Sequence, residues 1–143
     1  MRRRRLTDPR WSGVRIMTDT DPEVLGRIEH LTTVLQVPSG RVLMTQGAVG
    51  NEFMILLAGS VEVAVDGDVI AELGAGEVVG ELAVLVDGHR TATVRTTTPA
   101  ELAVVPRGEF EQFLIEAPDA TRRLLRTVAA RLVTTHPSGP TDR

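Results

Sequence analysis

From Thr33 to Pro106 the chain is cut into short β-prone runs by glycine, proline, serine and aspartate, which leaves no room for a long helix there. Val34–Val37 ends at Pro38-Ser39-Gly40, and Arg41–Thr45 is closed by Gln46–Gly50. Phe53–Leu57 is continuously apolar, the pattern of a strand buried on both faces. Ala58-Gly59-Ser60 turns the chain into Val61–Val65, where Val61, Val63 and Val65 share one face. Asp66-Gly67 then joins that run to Val69–Leu73, a strong signal for a two-residue hairpin. Gly74 and Gly76 open a loop, and Thr91–Thr97 and Glu101–Val105 complete the series on either side of Thr98-Pro99-Ala100. Pro106-Arg107-Gly108 ends the strands.

Helical spacing flanks this region. Asp21-Pro22 supplies an N-cap and a first-turn proline for a helix with Val24, Leu25, Ile28 and Leu31 on one side. Glu109–Glu116 reads as a short helix presenting Phe110, Phe113 and Leu114. Ala117-Pro118-Asp119 restarts a longer one through Val133, with Leu124, Leu125, Val128, Ala129 and Leu132 as its apolar stripe, and Pro137 stops it. The layout predicts a mainly β fold: a jelly-roll barrel or sandwich with a flanking N-terminal helix and two C-terminal helices.

Composition narrows the function classes. A chain of 143 residues is one domain by length and large enough for a core without staples. Three Phe, one Trp and no Tyr leave the core to aliphatic residues and provide no aromatic platform for stacking nucleic-acid bases. The absence of cysteine excludes disulfides, iron–sulfur clusters and thiol chemistry. No apolar run approaches the roughly 18 residues of a membrane span. Asp8, Pro9, Arg10 and Arg15 interrupt any signal-peptide core after Arg2–Arg5, so the reading is a soluble, cytoplasmic protein.

All sixteen basic residues are arginine, and the first sixteen positions carry six of them with a single aspartate. The remainder is therefore more acidic than the chain's net charge of −3, which disfavours DNA binding. The expected division is a solvated basic tail over 1–17, a folded domain over 18–136 and a short tail over 137–143, with Met17 an alternative start. His30, His89 and His136 are scattered without metal-ligand spacing, and no nucleophilic triad or carboxylate pair stands out. Neither a metal site nor an enzyme is expected.

Chemistry concentrates in Gly80–Val94, GELAVLVDGHRTATV. Arg90 offers a fixed-fork guanidinium for a phosphate. If Gly80 precedes a short helix, the free amides of Glu81, Leu82 and Ala83 form an anion site. Gly80, Ala83 and Ala92 are small enough to admit a ligand to the backbone. Glu81, an acid beside an anion site, is suited to accept from a sugar hydroxyl, and Thr91 supplies an amide and a hydroxyl. Phosphate with a neighbouring hydroxyl points to a nucleotide. A surface Arg–Glu pair would leave the surrounding small residues unexplained.

The stretch resembles the phosphate-binding cassette of cyclic-nucleotide-binding domains, found in bacterial catabolite activators, kinase regulatory subunits and gated channels. The family pattern, Phe-Gly-Glu-Leu-Ala-Leu and then Pro-Arg-x-Ala-Thr, is met by Val79–Leu85 and His89–Val94, with Val79 for Phe and His89 for Pro. Val37–Leu43, Gln46-Gly47 and Phe53–Val63 are similar to the family's strand-and-turn skeleton. The resemblance spans roughly 20–136 and implies that Arg90 holds the cyclic phosphate and Glu81 takes the ribose 2′-hydroxyl. It also implies that the amides of Leu82, Ala83, Thr91 and Ala92 complete the cradle. Ala129–Thr135 is similar to the start of the activators' dimerisation helix, with Thr135 where a hydroxyl meets the adenine.

The expected function is a stand-alone regulatory sensor for cAMP rather than cGMP, passing ligand binding through its C-terminal helix to a protein partner. A homodimer is a further expectation. The competing reading is a protein-interaction module of the same fold that works without nucleotide.

Overall fold

The computed structural model describes Val14, Met17 and residues 21–80 and 88–135, the side chains of 132–135 excepted. Helix α1 (Pro22–Glu29) starts as its sequence dictates. The Asp21 carboxylate accepts from the Glu23 amide at 2.8 Å, and Pro22 sits in the first turn, where an N–H would have no partner. Among the described residues the chain then forms β1 (Thr33–Val37), β2 (Val42–Met44), β3 (Glu52–Ala58), β4 (Ser60–Val65), β5 (Asp68–Gly74), β6 (Val78–Val79), β7 (Thr93–Thr96) and β8 (Ala100–Pro106). Helices α2 (Arg107–Glu116) and α3 (Pro118–Thr135) follow.

The strands form two antiparallel sheets, ordered β1-β8-β3-β6 and β2-β7-β4-β5. The architecture is thus a mainly β sandwich flanked by helices, as the turn punctuation predicts. The Asp66-Gly67 hairpin is present, both residues at positive φ (54° and 86°), and Gln46 clamps it. The Gln46 amide group donates to Asp66 Oδ1 at 3.0 Å and its oxygen accepts from the Asp66 amide at 2.8 Å.

The continuous apolar run of β3 has a direct structural cause: its sheet is covered on both faces. Phe53 and Ile55, with Val78, Ala103 and Val105, pack against Ile28, Phe110, Phe113, Leu124 and Val128 of the helices. Met54 and Leu56, with Val79, Leu102 and Val104, face Met44, Val61 and Val94 of the other sheet. Phe53 lies edge-on to Phe110 and Phe113, ring centroids 5.1 and 5.6 Å away, in the arrangement that opposes ring edge to ring face.

Three local expectations are corrected. Along α3 the buried stripe is Ala120, Leu124 and Val128, whereas Leu125 is 53% exposed and Ala129 is exposed. One residue per turn of α3 enters the helix-side core, and Leu125 stands about 100° around the helix from Leu124. Val14 and Met17 fall in the stretch expected to be solvated tail, yet both are buried in the helix-side core, so their apolar side chains are part of it. Helix α2 starts at Arg107, because extended Pro106 (φ −66°, ψ 156°) serves as its N-cap. Val61, Val63 and Val65 share one face of β4 as expected, since the extra residue of the β4–β5 bulge is Ile70 of β5; burial fades along that face from buried Val61 to half-buried Val63 and Val65. The two-residue strand β6 was too short to show in the sequence pattern.

Candidate functional site

Residues 88–90 are stitched to the β2–β3 loop residue by residue. The Arg90 amide donates to Ala48 O at 2.7 Å and its carbonyl accepts from the Gly47 amide at 2.9 Å. His89 bridges to Val49, and the Gly50 amide donates to Gly88 O at 3.3 Å. The backbone of Arg90 is thereby fixed before its side chain is considered.

The Arg90 side chain is turned inward and only 7% of the residue is exposed. Nη1 donates to Gly80 O at 3.2 Å, its one side-chain hydrogen bond among the described residues. A guanidinium carries five N–H donors, and buried donors are ordinarily satisfied, so among the described residues the group is under-coordinated. Burial pulls its pKa below the ordinary arginine value, Glu52 pulls it back up, and Arg107 pushes it down. It remains a cation at neutral pH.

Gly80 is the other fixed point. It has φ +84°, and a Cβ there would lie 2.5 Å from Met44 Cε and 2.6 Å from Arg90 Nη1. Only glycine combines that backbone with that proximity. Gly80 and Arg90, ten residues apart in sequence, thus form one corner at the end of the sandwich, with Met44 as its apolar wall.

The other sequence-predicted residues divide as follows. Thr91 is exposed and Ala92 half-buried, both directly after Arg90 and before the β7 ladder begins at Thr93. Thr135 is the last residue of α3. The ion pair between Arg131 and Glu77 (4.0 Å) brings the end of α3 against the segment that leads to Gly80. Glu81, Leu82 and Ala83 lie outside the described residues. Sequence reasoning missed Met44 of β2, Glu52 of β3 and Arg107 at the start of α2, which lie near Arg90 from elements remote in sequence. Among the described residues no cluster of three or more His, Asp or Glu could hold a metal, and no helix is long and apolar enough to cross a membrane.

The family model for the cyclic nucleotide-binding domain matches residues 34–117. The chain belongs to the cyclic nucleotide-binding domain family. The domain is 35% identical over 121 residues to lysophospholipase nte1 of Neurospora crassa, covering 81% of this chain and 8% of that protein. It is 32% identical over 111 residues to the Pycsar effector protein XpPycTIR of Xanthomonas perforans, covering 77% of this chain and 37% of that one. It therefore spans well under half the length of either relative. Among solved structures, cAMP-bound PfPKA-R (141–441) superposes with a TM-score of 0.76 at 23% identity, covering 92% of this chain and 46% of that one. The Thermus thermophilus catabolite activator protein gives 0.75 at 23% identity, covering 84% of this chain and 59% of that one. These structures share the fold of the domain.

Proposed function

We propose that the domain is a non-catalytic, cytoplasmic regulatory module that binds a cyclic nucleotide, cAMP in preference to cGMP. The carrying observation is the buried Arg90 guanidinium, fixed by its backbone and with one acceptor among the described residues. A cyclic phosphate supplies the anionic oxygens such a group lacks. The cAMP named with the PfPKA-R structure supports the same ligand.

In this reading Arg90 takes one exocyclic phosphate oxygen. The amides of Leu82, Ala83, Thr91 and Ala92 take the others, and Glu81 accepts from the ribose 2′-hydroxyl. Thr135, carried by α3, meets the adenine. The Arg131–Glu77 pair makes α3 the element that senses closure around the ligand, and α3 passes it to a protein partner or a second copy of the chain. Titration calorimetry with cAMP and cGMP tests the reading. Arg90→Ala is expected to weaken binding by roughly 2–5 kcal/mol and Glu81→Ala by about 1–3 kcal/mol. Absence of binding by either nucleotide would leave a protein-interaction module that works without them.

A further inference from the structure

We propose that Arg107 is a positioning residue for Arg90: it ties the first turn of α2 to the β2–β3 loop and thereby couples the helices to the phosphate site. The inference rests on the proposed function for its ligand, while its contacts stand on their own.

The contacts run without a gap. β8 passes directly into α2 at Arg107, so the first residue of the helix is anchored by the sheet. There the Arg107 amide donates to Asn51 O at 2.7 Å and the guanidinium Nη2 donates to Gly50 O at 2.5 Å. Arg107 thus grips the outgoing end of the loop twice. The other side of that loop is the one bonded to residues 88–90, through Gly50, Val49, Ala48 and Gly47. Arg90 has no backbone position independent of this loop, and the loop has none independent of Arg107.

Charge follows the same line. Glu52, adjacent to Asn51 and opposite Pro106 in the β3–β8 register, attracts the Arg90 guanidinium, while Arg107 repels it. A shift of the α2 start therefore changes both the support and the field of the phosphate ligand. This is a polar route between helices and site, separate from the apolar packing of Phe110 and Phe113 on Phe53.

The test compares Arg107→Met, which removes charge and donors, with Arg107→Lys, which keeps a charge and a donor. Arg27→Met serves as the control. It breaks the 2.6 Å ion pair between Arg27 of α1 and Glu116 of α2, loosening the helices without touching the loop. Calorimetric titration of the full chain with cAMP should show affinity roughly tenfold weaker in Arg107→Met, within the span of measured couplings between sites. Arg107→Lys should recover most of it, and Arg27→Met should leave it unchanged. In ligand-free protein, hydrogen exchange at the Gly50 and Arg90 amides should accelerate in Arg107→Met, while the β4–β5 amides keep their wild-type rates. Unchanged affinity and unchanged exchange at those two amides would overturn the coupling. If the wild-type chain binds neither cAMP nor cGMP, the proposed function falls instead, and the exchange comparison alone decides whether Arg107 holds the loop.

Discussion

Gly80→Ala separates backbone strain from crowding at the site, because the structure contains its own control. Gly80 and Gly40 have the same φ of +84°, but a Cβ at Gly40 meets nothing within 4 Å. Alanine in this left-handed region costs about 1–2 kcal/mol at either position. At Gly80 the new methyl also lies 2.5 Å from Met44 Cε, 3.0 Å from Met44 Sδ and 2.6 Å from Arg90 Nη1. Met44 is itself buried between the sheets, so making room adds an overpacking cost of about 1–3 kcal/mol. Urea denaturation should therefore place Gly80→Ala below Gly40→Ala by that second amount. Nη1 must also leave Gly80 O, so cAMP affinity should fall at least about tenfold in Gly80→Ala, the scale of one charge-assisted hydrogen bond, and hold in Gly40→Ala. Equal destabilisation of the two variants, with equal affinities, would refute the geometry assigned to this corner.

Other expectations follow from the packing and the charges. Phe53→Ala removes the ring that joins β3 to α2, and chemical denaturation should register a loss of roughly 3–5 kcal/mol. Thr96→Val deletes a buried hydroxyl that donates to Pro38 O and accepts from the Arg41 amide, each at 2.8 Å. The two stranded backbone groups should cost about 1–3 kcal/mol in the same assay. Glu116 has its pKa lowered below the ordinary 4.5, first by the Gln112 hydrogen bond and then by Arg27. A carboxylate with a depressed folded pKa adds stability above its unfolded pKa and loses it as pH falls through the folded value. The thermal-stability advantage of wild type over Glu116→Gln should thus be present at neutral pH and vanish on acidification below about pH 4.5; a constant gap would show that the charge plays no part.

Much of the fold was legible because turns constrain locally. Asp21-Pro22, Asp66-Gly67 and the unbroken apolar run of β3 each carry their structural consequence within a few residues. Arg90 and Gly80 were legible for the same reason, since both the chemistry and the spacing lie in one stretch. What escaped the sequence depends on pairing across long separations. Glu52 and Arg107 reach the site only because β3 and β8 lie side by side, and nothing within five residues of either signals it. Leu124-Leu125 offers two apolar residues for one contact position, and only the tertiary packing chooses between them. The arginines around Val14 and Met17 give that segment the character of a solvated tail, although these two side chains are apolar and reach the core.

The most direct test of the central claim, that Arg90 is the phosphate ligand, is the Arg90 Nε–H resonance in a nitrogen–proton NMR titration with cAMP. Its shift should move in proportion to site occupancy, together with the phosphorus signal of the nucleotide, and both changes should vanish in Arg90→Lys at matched concentrations. Saturable binding of cAMP with an unmoved Arg90 Nε–H would place the phosphate elsewhere and contradict the account.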